Sequence, residues 1–422
     1  MRLSGKFTFH SVGQGLFYSG VIDIDGMKRH IVYDCGSFFD NELLNHEIND
    51  AFKPNDTIDI LVISHMDEDH ISGIRQLLKA VRHVHFMFMP YTEPEELAFL
   101  AVKYESSRNE NKHKDYIDTI RTFEDVISDK KIQNVIMLTD SDDDSDSLID
   151  NIDSTEGVSS KFRFKFKRDE GKQENLEKIS PKRKIHAAKH DGLLDFRDAW
   201  NFRFYVRDDR DEKREKLHED LTAIGLKITS FAELRNVLES KEDLKKLKAV
   251  YKSIDSDLNL ASVVLLHSPL ENRRFLLGLS RLSPCMGSKY FPGMYSQCKT
   301  LLLGDAKLSD KKACNDLKEY FGYDLEDCGI ALVPHHGSKR SWYSGLLEDI
   351  IIPFWIVSYG VHGKYGHPST EVLRDFGRSW EYAHGCKGVG TAHKKLPCLL
   401  YSDEYRSVQY EILEIDKRKY GL

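Results

Sequence analysis

The sequence predicts an α/β sandwich with a metal-binding site at the ends of its strands. Apolar runs of strand length recur along the chain, at 58–64, 84–89, 260–267, 300–303, 330–333 and 355–359. Four of these runs lead into loops that contain histidine or aspartate. A helix-like run at 71–81 follows the first such loop, which completes a strand–loop–helix unit.

The composition indicates a soluble chain from a reducing compartment. The 422 residues carry a formal net charge of −7, so no overall positive field points to nucleic acid. The seven cysteines are scattered and form no CxxC pair, which favours free thiols. There is no apolar signal segment at the N-terminus and no apolar run of 18 residues. We therefore expect a cytoplasmic protein with no membrane association, folded as one large domain with insertions or as two domains.

The N-terminal part predicts hairpin strands that lead towards the first polar loop. Residues 6–18 alternate between polar and apolar side chains and break at VGQG, 12–15. Asp25-Gly26 is a strong hairpin turn signal between two short apolar runs. Asp34 ends the second of these runs and is followed by Cys35-Gly36. An aspartate in this position either orients a neighbouring loop through hydrogen bonds or only forms a turn.

The loop HMDEDH, residues 65–70, contains four metal-capable side chains. They are His65, Asp67, Asp69 and His70. A short loop at the mouth of a buried strand can direct two imidazoles and two carboxylates into one cleft. Mixed nitrogen and oxygen ligands suit a first-row divalent ion that acts as a Lewis acid or activates water. The alternative is a solvated acidic loop with two incidental histidines.

Three later strands supply further candidate ligands. Asp305 follows the strand at 300–303, and His335 and His336 follow the strand at 330–333. His367 comes after the strand at 355–359, in the segment YGHP. Side chains at the carboxyl ends of several strands are the usual way to assemble a metal site on an α/β sandwich.

The segment 92–256 is highly charged and has few apolar runs, and we interpret it as an insertion. Its acidic run at 139–153 fits a calcium loop poorly, because Ser145 and Asn151 replace the expected glycine and glutamate. A solvated acidic run is therefore expected there. The rest predicts surface helix at 105–130, a strand at 200–206 and helices near 210–224 and 230–252.

The insertion also contains KFRFKFKR, residues 161–168, in which cations alternate with phenylalanines. In a strand, this pattern places the cations on one face and the aromatic rings on the other. The cationic face either tracks a phosphate backbone or belongs to a plain amphipathic edge strand.

Taken together, these motifs resemble those of the metallo-β-lactamase-fold hydrolases. Within that superfamily they resemble the branch typified by the hydrolase domain of the ComEC competence proteins. The matching segments, in the family's order, are VGQG (12–15), YDCG (33–36), SHMDEDHISG (64–73), LLLGD (301–305), VPHHGS (333–338) and YGHP (365–368). The resemblance implies an αββα sandwich whose halves are 1–91 and 257–422, with 92–256 as a large charged insertion that it does not explain.

The resemblance also implies a centre of two divalent ions, zinc or manganese. The implied ligands are His65 and Asp67 for the first ion, Asp69, His70 and His367 for the second, and Asp305 as a bridge between them. Asp67 stands where the superfamily commonly has histidine, and a carboxylate there favours manganese or a similar ion beside zinc.

One superfamily ligand, the histidine before LLLGD, has no counterpart in this chain. Asp257 and Asn259 lie near its place in the sequence, and His267 lies at the far end of the following strand. The first ion is therefore expected to be held weakly or to exchange.

The leading functional hypothesis is metal-dependent hydrolysis of a phosphodiester in DNA or RNA. The resemblance implies that the two ions generate a hydroxide and stabilise the charge on the phosphate, while Asp69 orients the hydroxide. His336, with His335 beside it, would steady the phosphate or protonate the leaving oxygen. The residues expected to bind the substrate are Ser338, Lys339 and Tyr365. Lys339 and its neighbour Arg340, just past the histidine loop, could bind the neighbouring phosphate. The alternative is that both are simple surface charge.

Two other functions remain open at this level. The substrate could be a small phosphodiester or another ester, which a deep closed pocket would favour over an open basic groove. The domain could instead be an interaction module with a vestigial metal site. In either case, residues 92–256 are a candidate surface for an operon-encoded protein partner.

Overall fold

The computed structural model describes most of the chain. The described residues are 2–38, 41–105, 113–140, 147–149, 162–181, 185–196, 199–208, 210–253, 261–270, 275–280, 289–290, 298–361, 366–385 and 397–414. The predicted acidic run lies largely outside them, as do Asp257, Asn259 and Tyr365.

The strands are named in chain order. They are β1 (Leu3–Phe9), β2 (Phe17–Ile24), β3 (Met27–Cys35), β4 (Thr57–Val62), β5 (His83–Pro90), β6 (Ile132–Thr139), β7 (Arg163–Lys165), β8 (Ile185–Lys189), β9 (Leu193–Phe196), β10 (Trp200–Val206), β11 (Val263–Pro269), β12 (Phe275–Ser280), β13 (Lys289–Tyr290), β14 (Lys299–Leu302), β15 (Cys328–Leu332), β16 (Phe354–Ser358), β17 (Cys398–Ser402) and β18 (Val408–Glu414).

The helices are named in the same way. They are α1 (Asn41–Ala51), α2 (Glu68–Ile71), α3 (Ile74–Ala80), α4 (Pro94–Glu105), α5 (Lys114–Arg121), α6 (Phe123–Ile127), α7 (Glu170–Ile179), α8 (Asp211–Ala223), α9 (Phe231–Glu239), α10 (Lys241–Ser253), α11 (Lys311–Phe321), α12 (Leu346–Asp349) and α13 (Thr370–Gly385). Short 3₁₀ turns occupy Gly322–Leu325, Pro334–Gly337 and Lys339–Ser341.

The strands form two sheets. The first has the order β13-β12-β18-β1-β2-β3-β4-β5-β6-β8, and the second has the order β17-β16-β15-β14-β11-β10-β9-β7. Strands β3 to β6 and β8 run parallel, as do β14 to β17. The carboxyl ends of neighbouring parallel strands lie at the same edge of a sheet, so the loops after them can meet.

The apolar core has three layers. Rings from both sheets, such as Phe88 and Phe204 with centroids 4.5 Å apart, fill the space between the sheets. A second cluster lies between the first sheet and helices that include α3 and α4, and a third lies between the second sheet and helices that include α11 and α13. The predicted α/β sandwich is therefore confirmed, with helices on the outer face of each sheet.

The segment interpreted as an insertion contributes strands to both sheets. β6 and β8 extend the first sheet beyond β5, and β10, β9 and β7 extend the second beyond β11. β10 pairs with β11 from Trp200 opposite Pro269 to Val206 opposite Val263. The predicted boundary at residue 91 thus lies between β5 and β6, which are neighbouring strands of one sheet. These strands are short and lie between charged segments, so the amino-acid composition of 92–256 does not reveal them.

Part of the alternating segment KFRFKFKR is β7 (Arg163–Lys165), the edge strand of the second sheet. Phe162 and Phe166 are buried, whereas Arg163 and Lys165 in β7 are exposed. The predicted separation of rings and cations onto two faces is confirmed for these residues, and Lys161 lies outside the described ranges. Cations on an edge strand also discourage pairing with another chain.

The surface helix predicted at 105–130 contains two helices, α5 and α6. Each buries one face in the apolar cluster that also includes α4. Among the described residues, no helix combines the length and the apolar character needed to cross a membrane.

Candidate metal centre

Two glycines allow the N-terminal motif loops to pack against the loop at 65–70. A Cβ atom on Gly36 would lie 2.4 Å from the backbone nitrogen of His70, and a Cβ atom on Gly15 would lie 2.3 Å from the carbonyl oxygen of Gly36. Both positions therefore require glycine for close backbone approach. The backbone N–H of Leu16 also donates to the carbonyl oxygen of Asp69 at 2.9 Å. The VGQG and YDCG motifs thus support the metal loop.

The polar loops converge on one cleft, where their side chains form three overlapping groups of candidate ligands. Within each group, the ligand atoms lie within 4.8 Å of one another. The groups are His65, His70 and Asp305; Asp69, His70 and His336; and His65, Asp67 and Asp69. Residues from the loops after β4, β14 and β15 are therefore assembled as the strand pattern predicts.

Asp305 lies at the centre of the cleft. Its Oδ1 is 3.2 Å from Nε2 of His70, and its Oδ2 is 3.5 Å from Nε2 of His65 and 3.3 Å from Nε2 of His335. The two carboxylate oxygens thus face different histidines, which is the arrangement required of a bridging ligand. Ser262, a residue that the sequence analysis did not single out, accepts the backbone N–H of Asp305 at 3.1 Å.

His336 belongs to the ligand groups, although the sequence analysis gave it a role towards the substrate. Its Nε2 is 3.2 Å from Oδ2 of Asp69, and its Nδ1 is 2.7 Å from the carbonyl oxygen of Ser358. Because a carbonyl only accepts, Nδ1 carries the proton and Nε2 keeps its lone pair for a metal ion.

The turn that presents the two histidines is strained. His335 and His336 both have left-handed backbones, with φ of 48° and 52°, and Gly337 follows with φ of 80°. Such conformations cost about 1–3 kcal/mol for each residue other than glycine and concentrate at functional sites. The strain directs both imidazoles towards Asp305.

Several buried atoms in the cleft fit a metal ion. His70 Nε2, His336 Nε2 and Asp305 Oδ1 are buried and have ion-pair contacts with one another or with Asp69, but no well-aligned hydrogen bond within the described residues. Buried polar atoms without such a bond are costly, and these three are all atoms that ligate first-row divalent ions. The donor set therefore fits a cation in this position.

Asp34 supports the metal centre through contacts with His70 and Ser64. It is buried, and its Oδ2 accepts from Nδ1 of His70 at 2.8 Å, which fixes Nε2 as the ligand atom. Ser64 donates its backbone N–H to Asp34 Oδ1 at 2.6 Å and its hydroxyl to Oδ2 at 2.5 Å. Asp34 therefore orients the metal loop, which was one of the two alternatives that the sequence left open.

Helices α4 and α5 hold three successive residues of the metal loop. Tyr116 donates its hydroxyl to the carbonyl oxygen of Met66 at 2.8 Å. The next residue, Asp67, is paired with Lys103, whose Nζ lies 3.1 Å and 3.3 Å from its two carboxylate oxygens. The residue after it, Glu68, is 2.5 Å from Nδ1 of His113.

No sequence motif points to these supporting residues, because Lys103, His113 and Tyr116 lie in a charged segment without a recognisable pattern.

The carboxylates and histidines shift one another's pKa values. Burial alone would lower the pKa of His70, but the carboxylates of Asp305 and Asp34 outweigh it and raise that pKa well above its ordinary value. Burial opposes ionisation of Asp305, yet His335, His65 and His70 hold its pKa well below the usual range. Without a metal ion, protonated His70 and ionised Asp305 therefore stabilise each other in the cleft.

His367 lies beside the centre but outside the three ligand groups. Its ring centroid is 6.1 Å from that of His335, and burial lowers its pKa to about 4. Ser338 is buried and its hydroxyl accepts the backbone N–H of Arg340 at 3.3 Å, so it shapes the turn.

His267 is remote from the cleft. It lies in the core, where Trp200 Nε1 donates to its Nδ1 at 3.2 Å and Tyr18 Oη is 2.7 Å from its Nε2. It therefore does not replace the missing superfamily histidine.

Residues 15–137 match the model of the metallo-beta-lactamase superfamily. The matched range contains the whole metal loop and extends into β6. No curated protein matches the chain. The superfamily match, the two sheets and the His/Asp groups support a metal-dependent hydrolase of the metallo-β-lactamase fold.

Proposed function

We propose that this protein hydrolyses phosphodiester bonds, with DNA or RNA as its substrate. The observation that carries the proposal is the central position of Asp305, whose Oδ1 faces His70 and whose Oδ2 faces His65 and His335. A carboxylate in this position could serve two cations held in one cleft. Two-metal sites are suited to displacement at phosphorus, where the attacking and leaving oxygens both need stabilisation.

The residues that would hold the ions are His65, Asp67 and Asp305 at one position and Asp69, His70, His336 and Asp305 at the other. When bound, the ions supply Lewis acidity and a water of lowered pKa. Zinc and manganese both suit this set, because three carboxylates provide hard oxygen ligands and three imidazoles provide nitrogen. His336 takes the ligand position that the resemblance assigned to His367.

His335 is the better candidate for general acid. Its side chain is 29% exposed, compared with 4% for His336, so it can reach a bound substrate. Its Nδ1 lies 2.9 Å from the hydroxyl of Ser341, which orients the ring and leaves Nε2 directed into the cleft. From Nε2 it would deliver a proton to the leaving oxygen.

Asp69 has a second possible task besides ligation. One of its oxygens, Oδ2, lies 3.2 Å from His336 Nε2, and Oδ1 lies 3.8 Å from His70 Nε2. A carboxylate placed between two ligand histidines can also accept a hydrogen bond from the attacking water and orient it.

The experiment measures hydrolysis of bis(p-nitrophenyl) phosphate and of labelled single- and double-stranded DNA and RNA with Mn²⁺, Zn²⁺ or Mg²⁺. The wild type is compared with Asp69→Ala/Asp305→Ala and with Asp59→Asn. Asp59 is a buried carboxylate that accepts the backbone N–H of His30 at 2.8 Å and belongs to none of the ligand groups.

Metal-dependent cleavage of a polynucleotide by the wild type and Asp59→Asn, but not by the double variant, is the expected result. Cleavage of the small diester alone would support a small-substrate hydrolase. Absence of turnover with every metal would contradict the proposal and favour a module that binds a protein partner through 92–256.

A further inference from the structure

A polar cleft of about 360 Å³ is lined by residues that follow the metal-site loops in the sequence. Its lining combines two cations, two carboxylates, two hydroxyl-bearing serines and two aromatic side chains. The lining residues are Ser309, Lys339, Trp342, Tyr343, Ser344, Glu371, Arg374 and Asp375.

The three walls of the cleft continue the three loops that carry the later metal-site motifs. Ser309 follows the loop of Asp305, Lys339 begins the turn after His336, and Arg374 lies on α13, which starts soon after His367. The cleft is therefore built from chain segments that directly follow the metal-site loops.

Direct contacts join these walls to the centre and to one another. Ser341, at the end of the turn that Lys339 begins, is 2.9 Å from Nδ1 of His335. Trp342 pairs with Leu308 in a β-bridge, and its Nε1 donates to Oδ2 of Asp375 at 2.9 Å. The turn that carries Lys339 is thus joined to the metal centre through the Ser341–His335 contact.

The two cations of the cleft are available to a ligand. Lys339 and Arg374 are both exposed, and neither forms an ion pair or a side-chain hydrogen bond within the described part of the chain. Lys103 and Lys318, by contrast, are both paired with aspartates. An unpaired lysine and arginine converging on one cleft favour an anion.

The balance of charge selects the kind of anion. Glu371 and Asp375 offset the charges of Lys339 and Arg374, so the lining is neutral overall, and Oδ2 of Asp375 also accepts the indole N–H of Trp342. A neutral lining accommodates a singly charged phosphodiester better than a doubly charged terminal phosphate.

We propose that this cleft binds a backbone phosphodiester of the polynucleotide next to the one that is cleaved. The inference rests on the proposed function and specifies that the substrate is a polymer. Lys339 and Arg374 bind the non-bridging oxygens, and the serine hydroxyls donate to the phosphate or the sugar. Contacts of this kind position a strand without selecting its sequence.

The test compares Lys339→Ala and Arg374→Ala with the matched control Arg340→Ala. Arg340 is an exposed cation in the same turn as Lys339 but does not line the cleft. Steady-state kinetics are measured on bis(p-nitrophenyl) phosphate and on a labelled oligonucleotide. We expect each cleft variant to raise KM for the oligonucleotide about tenfold, and to lower kcat/KM for the small diester by at most about twofold. Arg340→Ala should resemble the wild type on both substrates.

Binding without turnover separates this inference from the proposed function. In EDTA, anisotropy of a fluorescent single-stranded oligonucleotide is measured against salt concentration, with inorganic phosphate and a mononucleotide as competitors. Each cleft variant should weaken binding and reduce the slope of log K against log salt by about one unit. The mononucleotide should compete poorly.

Binding that depends on Lys339 and Arg374, in a protein that cleaves no phosphodiester, would leave the cleft assignment standing and overturn the proposed function. The cleft assignment itself would be overturned if Lys339→Ala, Arg374→Ala and Arg340→Ala bound the oligonucleotide with equal affinity. It would also be overturned if the two cleft variants lost activity equally on both substrates.

Discussion

Nδ1 of His70 lies 2.8 Å from Oδ2 of Asp34, a buried carboxylate that belongs to none of the ligand groups. The contact fixes the tautomer of His70, because a carboxylate accepts the Nδ1 proton and leaves Nε2 free to ligate. Asp34 has a left-handed backbone, with φ of 57°, which aspartate and asparagine tolerate better than most residues.

Replacing Asp34 by asparagine should weaken metal binding about 10–100-fold, as is typical when a partner of a ligand histidine is changed. Asparagine retains the shape and the backbone conformation but removes the charge that holds the His70 proton. Isothermal titration with Mn²⁺ and Zn²⁺ measures the effect, with Asp59→Asn as the buried control. Unchanged affinity in Asp34→Asn would show that the Asp34 contact does not act on the metal site.

Adding metal should raise the Tm of the wild type, and EDTA should reverse the increase. A ligand at a thousand times its Kd stabilises the folded state by about 4 kcal/mol. Asp305→Ala removes the central carboxylate and should lose most of this response. Differential scanning fluorimetry with and without Mn²⁺ or Zn²⁺ makes the comparison. An equal metal-induced rise in Asp305→Ala would exclude Asp305 as a ligand.

Replacing Lys103 by methionine should tighten metal binding at the Asp67 position by about tenfold. The ammonium contacts both oxygens of Asp67 and competes with any cation there. Lys318→Met is a matched control, because Lys318 is also 40% exposed and pairs with Asp349 away from the ligand groups. Lys103→Arg should behave as the wild type. Weaker binding in Lys103→Met would mean that Lys103 orients Asp67 rather than competing for it.

Acid should destabilise the protein partly through His267, whose pKa burial lowers to about 3. In the unfolded chain the pKa is about 6.5, so the unfolded state binds the proton first as the pH falls. The His267 contribution to stability is present above about pH 6.5 and is lost between there and pH 3, by up to about 1.4 kcal/mol per pH unit.

The measurement is the free energy of unfolding in urea, in EDTA, at several pH values between 7 and 4. Gln at position 267 can accept from Trp200 and donate to Tyr18 without titrating. We therefore expect acidification to lower the free energy of unfolding of the wild type more than that of His267→Gln. His46→Gln serves as the control, because the side chain of His46 is 68% exposed. Parallel pH curves for wild type and His267→Gln would contradict the prediction.

Much of the fold was predictable because local patterns and tertiary structure agree. The runs at 58–64 and 84–89 are β4 and β5, and the predicted strand at 200–206 is β10 with the same bounds. The membership of 132–139 and 185–189 in the first sheet was not predictable from composition. Short strands inside a charged segment are recognisable only by the partners with which they pair.

The candidate site was predictable as a set of residues, but their division of roles was not. The repeated placement of His or Asp after apolar strands led to His65, Asp69 and Asp305. The sequence could not show whether His336 or His367 lies nearer the other candidate ligands, because both follow a strand in a histidine-containing loop. The carbonyl of Ser358, which fixes the tautomer of His336, comes from a different strand.

The sequence by itself determined the α/β class, the identity of the metal loop and the strand ends that deliver the other polar residues. These features depend on periodicity and spacing, which are local properties of a chain. Tertiary structure alone decided that Lys103, His113 and Tyr116 hold the metal loop, and that Lys339 and Arg374 meet in one cleft. Such contacts join residues far apart in sequence, and their distances are set by how the sheets and helices pack.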